Sequence, residues 1–190
     1  MQLRNALYPA AIALSLVASG QIARAQDVPN RDAALEVRKQ YLADLDTLHS
    51  KFVALANAFP ADKYAWRPGE GVRSVGEVLN HVSAEFYVWG PMAYGAPRSA
   101  VIQQGREGME KFEKASSKAE VLKNLDDGFA YLKQQLTGMD AAQITGTKKL
   151  FGRDLTIIET SFIMSGDLHE HLGQLIAYAR VNGIKPPWSK

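Results

Sequence analysis

The 190-residue chain contains no cysteine. Disulfides, thiolate metal ligands and a cysteine nucleophile are therefore excluded, and any metal must be held by His, Asp, Glu or water. Histidine is scarce as well, with four residues in all, so any grouping of imidazoles is informative. Past the first 25 residues, no apolar run approaches the roughly 20 residues that a membrane-spanning helix needs. No basic block is present either, which removes nucleic acid and anionic membrane as expected partners. Internal repeats are missing, and so are low-complexity tracts beyond the short polar stretch Gln26 to Arg31. Neither a Ser-His-Asp arrangement nor a phosphate-cradling glycine loop can be recognised.

The N-terminus has the three parts of a secretory signal peptide. Arg4 supplies positive charge, Ala6 to Ala18 is largely apolar and uncharged, and Ala23-Arg24-Ala25 is a small-x-small cleavage site. As a membrane anchor the stretch is short and interrupted by Pro9. The expectation is cleavage after Ala25 and export, with a periplasmic destination and one mature domain over residues 26–190. Cleavage would remove Arg4 and Arg24 and no acid, so the balance falls from 22 basic against 20 acidic residues to 20 against 20. The sequence pI near 8.8 thus overstates the basicity of the mature protein.

About 165 mature residues suffice for one domain with a sizeable core. Leu42, Leu45, Leu48, Phe52, Leu55 and Phe59 recur at steps of three and four, predicting a helix from about Asp32 to Ala58 that Pro60 ends. The aromatic, turn-forming segment Tyr64 to Gly71 follows. Ser74 with Glu77 forms a capping box, so a second helix should run from there to about Trp89, before Gly90-Pro91. Met92 to Gly108 reads as loop with at most weak helix. Ser117 should cap a third helix, about Lys118 to Leu136. Thr145 to Leu155 reads as extended or as a hairpin, and a fourth helix should span about Thr156 to Val181, closed by Asn182-Gly183. Four long amphipathic segments without a strand series predict an all-α four-helix bundle.

The most informative stretch is Asp167 to Gln174, which packs two of the four histidines with two carboxylates into the last helix. At about 100° per residue, Asp167, His171, Gln174 and Tyr178 form a polar stripe beside the apolar Met164, Leu168, Leu172, Leu175 and Ala179. His169 is about 200° around from His171 and cannot easily share one ion with it from a regular helix. On the second helix His81 lies just off the apolar stripe, with Glu77 and Glu85 one turn to either side. Taken alone it reads as a core histidine; beside Asp167 and His171 it completes a set of two imidazoles and a carboxylate. Such a set suits a divalent transition ion, Zn, Ni, Mn or Fe. His169 and first-helix His49 are substitute ligands, His49 reading rather as a helix-edge residue, and Gln174 is placed to hydrogen-bond a ligand. Trp66 and Trp188 should seal a core end. Arg67 and Arg73 either meet an anionic substrate or pair with Glu70 and Glu77. Glu170 should be solvated.

The run Tyr64-Ala65-Trp66-Arg67-Pro68-Gly69-Glu70-Gly71-Val72-Arg73-Ser74-Val75-Gly76-Glu77-Val78-Leu79-Asn80-His81-Val82 and the later His169 to Gly183 with Pro186-Pro187-Trp188 resemble the two signature regions of the DinB-like family. The resemblance covers essentially the whole mature chain. It implies a four-helix bundle of up-down-down-up topology with a metal site near one end, usually built from three histidines. One comes from the second helix and two, spaced by four, from the last. On this chain they correspond to His81 and His171, while the position four before His171 holds Asp167 in place of the usual histidine. Aspartate can ligate, but its shorter reach and added charge alter geometry and metal preference.

For activity, the resemblance implies metal-dependent hydrolysis or transfer of a low-molecular-weight thiol. Export disfavours the second, because such thiols are scarce in an oxidising compartment. A non-catalytic bundle binding metal or a small ligand through a degenerate site is the alternative. The expected partner is a small molecule, and a homodimer is left open.

Overall fold

The computed structural model describes residues 31–189 apart from 104, 115, 116 and 151. The expected leader lies outside the described residues. Four long helices, α1 (Arg31–Ala58), α2 (Val75–Trp89), α4 (Lys118–Thr137) and α6 (Ile157–Val181), make the bundle. Two shorter ones, α3 (Arg106–Glu113) and α5 (Ala141–Thr145), lie in the connections. The segment from Met92 to Gly108 is therefore more ordered than its composition suggests. A π-helical turn, Gly90–Tyr94, extends α2, and α3 begins at Arg106. Residues 147–150 and 153–156 resolve the open choice in favour of an antiparallel hairpin, β1 and β2, in which Thr147 pairs with Thr156 and Leu150 with Arg153. Gly152 in its turn has φ +74°, a conformation that a side chain would strain.

Side-chain contacts give the helix directions. Asp46 of α1 meets Lys133 of α4 and His49 meets Asp126, so these helices run antiparallel. Asp44 of α1 meets Ser165 in the first half of α6 and His169 at its midpoint, while Tyr41, earlier in α1, shares a groove with Ile158 and Ser161, earlier in α6, so α1 and α6 run parallel. Arg73, before α2, reaches Tyr178 late in α6, and His81 meets His171, so α2 opposes α6. The order is up-down-down-up. α1 and α2 each pack against both α4 and α6. Gly128 permits the α2–α4 approach: a Cβ there would sit 3.1 Å from the Phe86 ring and 3.2 Å from Ser83 Cα.

Local signals place the helix starts. Ser74 accepts from the Glu77 N–H while Glu77 accepts from the Ser74 N–H, and Thr156 with Glu159 repeats this box at α6. Ser117 caps α4 through the Glu120 N–H. The apolar stripes meet in one core holding Leu45, Leu48, Phe52 and Leu55 of α1, Leu79 and Phe86 of α2, Phe129 and Leu132 of α4, and Leu168 and Leu175 of α6, all fully buried. Burying each such side chain is worth about 1.5–3 kcal/mol, so the bundle has an apolar framework independent of any ion. No helix among the described residues is long and apolar enough to cross a membrane.

Candidate metal centre

His81 and Glu85 occupy successive turns of α2, and His171 faces them from α6. One ligand atom from each lies within 4.8 Å of the others. His81 Nε2 is 3.1 Å from Glu85 Oε1. Glu85 Oε2 is buried without a well-formed hydrogen bond, and His171 Nε2 stands 3.8 Å from it. The two imidazoles meet edge to face with centroids 4.9 Å apart. Asp167, one turn before His171, brings Oδ2 to 3.7 Å from His171 Nε2, and its side chain is 40% exposed where those of His81 and Glu85 are 11% and 9%. The cluster is thus buried on the α2 side and opens toward Asp167.

The far nitrogen of each ring is held from outside the cluster. His81 Nδ1 is 2.7 Å from Glu113 Oε1, a residue of α3, and His171 Nδ1 is 3.3 Å from Gln174 Oε1. Gln174 donates in turn to the Tyr178 hydroxyl, which donates to the Arg73 carbonyl. Trp66 abuts the Tyr178 ring edge to face and packs on the core end, whereas Trp188 is 38% exposed with the Lys51 ammonium over its ring. Arg67 pairs with Glu77, but Arg73 pairs with Glu113 and not with Glu70 or Glu77. Glu170 is exposed.

Charge in this pocket is unevenly distributed. Burial disfavours the His81 imidazolium, but hydrogen bonds to Glu113 and Glu85 outweigh it and raise its pKa to about 9. Burial also works against the Glu85 and Glu113 carboxylates, yet His81 holds both below their ordinary range, with Arg73 assisting at Glu113. Asp167 goes the other way: partial burial, then the Glu85 charge beside it, push its carboxyl up to about 7. Burial lowers His171. Without an ion, the pocket therefore retains protons on His81 and, around neutrality, in part on Asp167. A cation would replace them.

The donor chemistry fits a transition ion, because two imidazole nitrogens converge on a buried carboxylate oxygen that lacks a well-formed hydrogen bond. The structure brings together His81 and His171, adds Glu85, and leaves Asp167 at the rim. His169 turns to Asp44 of α1 at 3.3 Å and is half exposed. His49 is 2.7 Å from Asp126 of α4 and stacks on Phe129 at 4.6 Å. Glu85 is the residue that the sequence reading passed over as a ligand, although its place one turn after His81 was a usable signal.

The family model described as the DinB superfamily matches residues 44–175, well over half of the chain. The chain belongs to the DinB superfamily. The match spans α2 and most of α6 and so includes His81, Glu85, Asp167 and His171. Among curated proteins, none matches the chain.

Proposed function

We propose that this DinB-superfamily protein is exported and holds one divalent transition ion, Zn, Ni, Mn or Fe, between α2 and α6. His81, Glu85 and His171 supply donors, and Asp167 takes the place usually filled by a third histidine. The observation that carries this reading is the orientation of the two rings. Each has one nitrogen secured from outside, by Glu113 or Gln174, and the other turned toward Glu85. Metal-binding histidines are commonly held in this way, because fixing one N–H fixes the lone pair of the other nitrogen.

The ion would serve hydrolysis of a small substrate. A bound divalent ion supplies Lewis acidity and lowers the pKa of bound water. Around it the chain's own groups have clear parts: His81 and His171 present neutral nitrogens, and Glu85 contributes charge from the buried side. Asp167, at the open side 3.7 Å from His171, is placed to accept or return a proton when it does not itself bind the ion.

Asp167 also supports a second reading. If it joins His81, Glu85 and His171, four protein donors close the ion's coordination, as in structural sites, and the protein is a binding module. Elemental analysis of protein purified from its native compartment tests the shared premise. About one ion per chain should be present, and it should be lost in His81→Ala, Glu85→Ala and His171→Ala. Azide binding at the ion and metal-dependent turnover of an ester, amide or lactone panel favour the enzyme. An ion that azide never reaches, with chelation sharply lowering the melting temperature, favours the closed module.

A further inference from the structure

The segment between α2 and α4 leaves the bundle and returns, and its short helix α3 ends on a buried acid. Glu113 is 8% exposed. Its Oε1 meets His81 Nδ1 at 2.7 Å, and its two oxygens receive the Arg73 guanidinium, at 2.8 Å from Nε and 3.3 Å from Nη2. The Glu113 backbone carbonyl accepts from Asn80 Nδ2 at 3.3 Å, and Asn80 in turn accepts from Asn124 of α4 at 3.2 Å. Both the main chain and the carboxylate of this residue are thus fixed against the α2 turn that carries His81.

We infer that Glu113 is a positioning residue for the metal centre: it keeps the His81 proton on Nδ1 and so presents the Nε2 lone pair to the ion. This rests on the metal reading above. An imidazole released from Glu113 can rotate about its side-chain bonds and can place its proton on Nε2, where it blocks coordination. The Arg73 fork matters in the same way, since it aims the carboxylate in two places and balances its charge, leaving Glu113 oriented toward His81. α3 is then a strut for the site, and the long connection has a use that its small, glycine-rich composition conceals. A carboxylate acting through a histidine raises that ligand's basicity, and removing such a partner commonly costs about 10–100-fold in metal affinity.

The test uses the mature chain with Glu113→Gln and Glu113→Ala, titrated with Zn against a chromophoric chelator and loaded with Co(II) for absorption spectroscopy. Glu113→Gln keeps shape and an acceptor oxygen, so it remains informative if the alanine variant fails to fold. Nitrogen NMR of labelled histidine in the metal-free protein at about pH 10, where the ring is neutral, reads which His81 nitrogen keeps its proton. The expected result is tight wild-type binding and a protonated Nδ1. Glu113→Ala should lose about 10–100-fold in affinity with an altered Co(II) spectrum, and Glu113→Gln should lie between. A merely structural role would lower the melting temperature and leave affinity and tautomer unchanged. Wild-type binding that Glu113→Ala leaves within about twofold, with Nδ1 still protonated, overturns this role alone. Failure of the wild-type protein to bind overturns the metal reading and this role with it.

Discussion

The stability of the protein should fall with rising pH in the absence of the ion and lose that dependence when the ion is bound. In the metal-free protein His81 has a pKa of about 9, against an ordinary 6.5. A histidine raised on folding contributes stability that is complete below about 6.5 and is lost as pH rises through 9. The loss amounts to about 3 kcal/mol. Asp167, raised from 3.8 to about 7, acts with the same sign but is largely spent by pH 7, and His171, lowered, exerts its opposing effect below about 6.5. Above pH 7 the slope therefore belongs to His81. A coordinated His81 carries no proton on Nε2, so saturation with Zn should abolish the decline. Affinity should meanwhile rise about tenfold per pH unit toward 9 as the competing proton leaves. Urea unfolding followed by circular dichroism at about pH 6.5, 7.5, 8.5 and 9.5, with chelator or with Zn, gives the comparison. In thermal melts the metal-free loss corresponds to about 6–12 °C. A metal-free midpoint that stays flat across this range would refute the charged His81. An identical decline under saturating Zn would refute His81 as a ligand.

Asp167→Ala should weaken Zn or Ni binding by more than about tenfold, 1.4 kcal/mol, while Asp167→His keeps or tightens it; equal affinities for wild type and Asp167→Ala would place Asp167 outside the coordination sphere. His169→Ala and His49→Ala should leave the ion bound, since their rings face Asp44 and Asp126, and loss of stoichiometric metal in either would contradict that separation. Expression in a bacterial host with its export machinery should yield a chain beginning at Gln26 by intact mass; a full-length product in the cytoplasm would reject the export signal.

The helices could be read from the sequence because their signals are local and redundant. Apolar steps of three and four, the Ser74–Glu77 box and the Asn182-Gly183 stop all agree, and each depends on neighbours within a turn. α3 escaped because it is weakly specified by its own sequence: its N-cap is Gly105 with no side-chain cap, and within its short span only Met109 and Phe112 are large apolar residues, too few to stand out from a polar segment. What holds its end is tertiary, the grip of Arg73, Asn80 and His81 on Glu113, which lie between 32 and 40 residues earlier in the chain.

The site divides in the same way. His81, Asp167 and His171 were accessible through helical spacing, because residues one turn apart on a helix must share a face. Glu85 satisfies that rule toward His81, yet the pattern on α2 alone gives two acids, Glu77 and Glu85, symmetrically placed one turn either side. Their fates diverge for reasons outside the helix's periodicity. Glu77 lies in the first turn, where the Ser74 N–H and Arg67 claim its carboxylate. Glu85 lies deeper, where α6 crosses and delivers His171. A capping acid is already spoken for by the helix start, so of the two only Glu85 was free to become a ligand. That deduction needs the capping box and the helix length together, both of which are written in the sequence.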